Sequence, residues 1–109
     1  MAIGREAFAG VEARGRAVLV RTGFSQHWRT ERYQRDNPHL TGDACDYLLD
    51  QGVTFVGIDS VNVDALSDLA RPAHTKLLGA GVPVGEHFTG LEAVDDLIAD
   101  CAQALRALG

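Results

Sequence analysis

Cysteine is scarce in this sequence, and the two that occur do not pair by spacing. Cys45 and Cys101 form no C-x-x-C motif, and both stand in stretches with helical spacing. That pattern argues against a zinc ribbon or a redox dithiol and for two free, buried thiols. Positive charge is also short: ten Lys and Arg face fifteen Asp and Glu, a formal net charge of −5. A nucleic-acid partner needs clustered cations to neutralise phosphates. The arginines before residue 36 are instead interleaved with Glu and Asp, as on a solvated face. No apolar run approaches the roughly 18 residues of a membrane span. The opening "MAIGREAFAG" has no apolar core of signal-peptide length. The expectation is a cytoplasmic protein with no nucleic-acid and no membrane partner. No repeat, low-complexity tract or second domain interrupts the 109 residues, which read as a single small domain.

What is present suffices for a core, since 46% of residues are apolar. "AVLVRT", 17–22, is a compact apolar run and reads as a strand. A long polar, aromatic-dotted stretch follows, of a length that is often functional in a small domain. Pro38 and Thr41 mark a helix start, and "GDACDYLLDQ", 42–51, places Ala44, Tyr47 and Leu48 at helical spacing before Gly52 ends it. "VTFVGID", 53–59, is apolar enough for a strand buried on both faces. Strand, helix and strand in so short a span predict a parallel pair. A short helix over 73–78, with Pro72 in its first turn, leads through Gly79 and Gly81 into a third strand near 82–85, which Pro83 makes an edge or interrupted one. Thr89 and Glu92 have capping-box spacing, and the apolar period beyond them predicts a helix over 90–107. The fold class expected is α/β: a small parallel or mixed sheet with flanking helices.

Thr22, Asp59 and Glu86 each follow an apolar strand directly, and ligand sites in parallel sheets form beyond the carboxyl ends of the strands. Asp59, Asn62, Asp64, His74 and Glu86 are therefore candidates to face one cleft. Each has an ordinary alternative: a turn former or helix cap for the aspartates, a carbonyl partner for His74. In "HTKLLGAGVPVGE", His74 and Glu86 are two candidate metal ligands, where a stable site normally takes three or four.

The order "VLVRTGFSQHW", "NPHLTGDACDYLLDQGVTFVGIDSVNVD", "HTKLLGAGVPVGE" resembles the cyclase family of metal-dependent hydrolases, which includes bacterial kynurenine formamidase and isatin hydrolase. The resemblance covers roughly residues 15 to 91. It rests on the RTG-like strand end, the P-x-L before a helix, the VGID block and the block running from a histidine to a glutamate. It implies that His74 and Glu86 are ligands of a divalent metal, zinc or manganese, and that both point into one concavity near Asp59. It also implies a small aromatic amide or lactam as substrate. Phe24 and Trp28 would wall its pocket, with Asp59, Asn62 and Asp64 alongside.

The departures are specific. The family's main metal motif, H-x-G-T-H-x-D-x-P-x-H, stands before the RTG-like segment and supplies most ligands and the acid-base histidine. It does not occur in these residues, and none of His27, His39, His74 and His87 has H-x-x-x-H spacing to another. Asn62 stands where the family often has Ser. The ending "EAVDDLIADCAQALRALG" reads as a helix, where the family continues into a further strand. The chain thus looks like the C-terminal half of an arylformamidase-type hydrolase, truncated and incomplete in isolation, with the catalytic acid-base residue unassigned. A partner chain carrying the missing motif, or a second copy in a homodimer that assembles a new site from His74, Glu86, Asp59 and His87, would complete it. The alternative is a non-catalytic binding or oligomerisation module derived from the family.

Overall fold

A computed structural model describes residues 1–87, with three parallel strands at their centre. The strands are β1 (Ala2–Ile3), β2 (Ala17–Val20), β3 (His39–Leu40), β4 (Phe55–Ile58) and β5 (Val84–Gly85); the helices are α1 (Gly42–Asp50) and α2 (Pro72–Gly79). The main sheet runs β2-β4-β5, with Val20 opposite Ile58 and Gly57 opposite Gly85, and both pairs are parallel. Parallel neighbours need crossovers, and α1 and α2 lie in the two crossovers and pack against each other. This is the α/β architecture that the strand-helix-strand pattern implied.

The elements are shorter than their apolar runs. Strand β2 stops at Val20 because the Thr22 amide turns aside to the Asp59 carboxylate. Strand β5 is reduced to Val84–Gly85: Pro83 has no N–H to donate, although its carbonyl still accepts from Val56 at 3.0 Å. Val18, Val20, Val56 and Ile58 are fully buried and pack with Ala44, Cys45 and Leu48 of α1 and Ala73 and Leu77 of α2. Each such aliphatic side chain contributes about 1.5–3 kcal/mol. Thr41 starts α1 as expected: its hydroxyl accepts the Ala44 amide at 3.1 Å, an N-cap worth about 1 kcal/mol. Gly52, at φ 74°, takes the left-handed turn that closes α1.

Two features carry no sequence signal. Residues 23–40 are not one open loop but contain two short 3-10 helices, Phe24–His27 and Glu31–Gln34, followed by β3. Strand β3 then pairs with β1 in a separate parallel two-residue ladder. The helix expected over 90–107 and Cys101 lie outside the described residues. No described helix is long and apolar enough to cross a membrane.

Cys45 is a free thiol, as its spacing predicted, and is fully buried. Burial, reinforced by the charges of Asp64 and Asp46 and opposed by Lys76, pushes it from 9.0 up to about 12. An acid raised in this way keeps its proton in the fold after the unfolded chain has lost it. Its contribution to stability is therefore complete below pH 9 and declines as pH rises toward 12. In a Cys101→Ser background, a thiol reagent at pH about 8 should label the native chain at least about a hundredfold more slowly than the denatured chain, because attack needs both opening and thiolate. Similar rates in the two states would show that Cys45 is reached without opening.

Candidate functional site

Because the main strands are parallel, their carboxyl ends lie along one edge of the sheet. Three connections leave from that edge: Thr22 after β2, Asp59 after β4, and Glu86 after β5.

Asp59 acts as a clasp. Its Oδ1 accepts the Thr22 amide at 2.9 Å and the Thr22 hydroxyl at 2.6 Å, and its Oδ2 accepts the Gly23 amide at 2.9 Å. The side chain is buried, and both oxygens are engaged by the turn after β2. Its backbone carbonyl accepts the Tyr33 hydroxyl at 3.0 Å. Burial, together with the charges of Asp59 and Glu86, pushes that phenol up to about 12, so it stays a donor.

Tyr33 centres an aromatic group. Phe24 stacks on it at 5.3 Å, Trp28 meets it edge-on at 5.2 Å, and the His87 ring lies 5.8 Å from it and 5.7 Å from Trp28. Phe24 is buried, while Trp28 is 44% exposed and offers the accessible aromatic surface. This group ties the segment after β2 to the residue that follows Glu86.

The second cluster is Asp64, His74 and Glu86. Asp64 is buried and reaches the start of α2, where Oδ1 accepts the Ala73 amide at 2.7 Å and Oδ2 the His74 amide at 2.9 Å. A helix start leaves its first amides without internal partners, and because Pro72 has no N–H these are two of the three that α2 presents. The same Oδ2 lies 2.7 Å from His74 Nδ1. On the other side of the ring, His74 Nε2 lies 3.6 Å from Glu86 Oε2, which also accepts the Val63 amide at 2.7 Å. The structure thus places together the histidine and glutamate that the sequence singled out, twelve positions apart, one on α2 and the other just after β5. Asn62 uses its side-chain oxygen locally, accepting the Asp64 amide at 2.8 Å.

Among the described residues, no group of three or more His, Cys, Asp or Glu side chains is arranged to hold a metal ion. The contacts show why. Asp64 is on the Nδ1 side of the imidazole and engaged by α2, which leaves His74 Nε2 and Glu86 as the facing pair. Two ligands each roughly 2.0–2.1 Å from zinc can be about 4 Å apart, so the 3.6 Å separation suits one shared ion. The pair fits as part of a coordination sphere and not as a whole one.

Three residues of this neighbourhood escaped the sequence reading. Asn37, buried, donates to the carbonyls of Asn62 and Asp64 at 3.1 and 2.9 Å and accepts the Leu66 amide at 3.1 Å, which fixes the loop that carries Asp64. Tyr33 is the second. Arg71 is the third: it precedes α2 at φ 47°, with its guanidinium 3.3–3.4 Å from both ring nitrogens of His74. The Asn37-Pro38 pair was a usable turn signal; nothing local marks the other two.

No curated protein matches the chain. The sequence profile of the cyclase family does, over residues 4–65. That span runs from the end of β1 through Asp59 and Asp64, and His74 and Glu86 lie beyond it. With the match covering more than half of the 109 residues, the chain belongs to the cyclase family.

Proposed function

We propose that these residues are part of a metal-dependent hydrolase acting on a C–N bond of a small aromatic amide or lactam, in the manner of an arylformamidase, with His74 and Glu86 as metal ligands. The observation behind this reading is the 3.6 Å approach of His74 Nε2 to Glu86 Oε2, with the other ring nitrogen held by Asp64. A metal-ligating histidine is typically held in this way, its far nitrogen donating to a carboxylate. Imidazole plus carboxylate suits zinc or manganese. A divalent ion there would polarise the scissile carbonyl and make water a competent nucleophile near neutral pH.

The residues of the chain divide the remaining work. Asp64 orients His74. The Val63 amide holds one oxygen of Glu86. Trp28, backed by Tyr33 and flanked by His87, offers an apolar face for an aryl group. The further ligands and the proton-transfer histidine come from the H-x-G-T-H-x-D-type segment, whether it belongs to the same longer polypeptide or to a partner chain. Family membership without catalysis, as a binding module, is the competing reading.

The test is metal content and hydrolysis of an N-formyl aryl amide, measured for the 109 residues alone and with a polypeptide bearing that motif. The expected result is weak zinc or manganese binding and no turnover alone, because stable sites use three or more protein ligands, with turnover appearing on addition. Absence of turnover in the combined sample would favour the binding module.

A further inference from the structure

We propose that Asp64 is the positioning residue of this site: its carboxylate sets the tautomer and the direction of the His74 ring, so that Nε2, and not Nδ1, is the nitrogen offered beside Glu86. The inference deepens the metal-site reading and rests on it for the use made of Nε2; the hold on the ring stands on the geometry alone.

A carboxylate only accepts, so the 2.7 Å contact from Oδ2 to His74 Nδ1 requires the proton on Nδ1. In the neutral ring the lone pair is then on Nε2, which points toward Glu86 Oε2. Asp64 itself has little freedom to turn. Its side chain is 2% exposed, and the Ala73 and His74 amides fix its two oxygens from the first turn of α2. The loop that carries it is fixed in turn by Asn37, which bonds the Asp64 carbonyl at 2.9 Å. Arg71 does not compete for the role. Its guanidinium sits at 3.4 Å from Nδ1 and 3.3 Å from Nε2, and so favours neither nitrogen. One carboxylate therefore both caps the helix and orients the imidazole, which couples the ring direction to the position of α2.

The tautomer can be read without a metal. With nitrogen-15-labelled histidine in the metal-free chain, at a pH high enough for a neutral ring, two-dimensional proton–nitrogen spectra distinguish the two tautomers. His74 is expected as the Nδ1–H form. In Asp64→Ala that form should cease to dominate, and zinc affinity should fall by about 10- to 100-fold, the usual effect of losing such a partner. A merely structural role is separated by Leu77→Val, which loosens the packing of α2 at a fully buried position without touching the carboxylate. It should leave the Nδ1–H form intact. An Nε2–H form in the unmodified chain, or a tautomer unmoved by Asp64→Ala, overturns the proposal. A tautomer that shifts as expected in a chain that binds no zinc leaves the positioning role standing and removes the metal-site reading instead.

Discussion

Asp59→Ala is expected to destabilise the chain by about 3–5 kcal/mol, since it removes a buried charged acceptor and strands three partly buried donors at once. Three donors are involved: the Thr22 amide, the Thr22 hydroxyl and the Gly23 amide, all at 2.6–2.9 Å. Domains are commonly stable by only about 5–15 kcal/mol, so this one side chain holds a large share. Asp59→Asn keeps the volume and one accepting oxygen but turns an NH2 toward backbone N–H groups. A smaller loss is expected from it, and it keeps the effect measurable if the alanine variant does not fold. Urea titration followed by fluorescence gives both stability and location, because Trp28 is the sole tryptophan and packs on Tyr33, whose hydroxyl bonds the Asp59 carbonyl. A loss below about 1 kcal/mol in both variants, the size of one ordinary hydrogen bond, would show that the carboxylate does not hold the turn.

That clasp also marks where sequence reading stopped. Composition and periodicity were enough for the parallel main sheet and for α1 and α2. Val18 and Val20, Val56 and Ile58, and Ala44 and Leu48 recur at the spacing of the element that buries them. Thr41 and Gly52 are local signals for the ends of α1, because a cap and a left-handed turn depend on a residue and its near neighbours. Strands β1 and β3 have two residues each, too few to show a period, and they exist because distant backbones meet. The same holds within the site. His74 and Glu86 were candidates by residue type and family resemblance. That Asp59 clasps Thr22, and that Asp64 caps α2 from eight or more residues away, are relations between side chains and remote backbone amides. No window of sequence contains them. Tyr33 and Asn37 looked like ordinary loop residues for that reason, although both are buried and tie residues 23–40 to the strand ends.

In the combined sample that turns over an N-formyl aryl amide, His74→Ala and Glu86→Gln should each lower kcat/KM by at least about a hundredfold, the rate equivalent of a few kcal/mol of transition-state stabilisation. The reasons differ between the two. His74→Ala removes the nitrogen itself, leaves the Asp64 carboxylate without its ring partner at 2.7 Å, and opens a gap beside Arg71. Glu86→Gln is nearly isosteric. It keeps an oxygen able to accept the Val63 amide at Oε2 but removes the charge beside His74 Nε2. Its effect therefore belongs to the charge and not to the fold. Metal content should fall with activity in both variants, and added zinc or manganese should recover part of the Glu86→Gln loss. Trp28→Ala should act mainly on KM, because its half-exposed ring offers an aryl group a face and holds no reacting atom. Leu69→Ala, at a side chain 92% exposed and away from these contacts, should change nothing and controls for handling. If Glu86→Gln keeps full activity and full metal content, the carboxylate is not a ligand. The 3.6 Å approach to His74 would then be an ordinary ion pair, and the hydrolytic reading would lose the contact on which it rests.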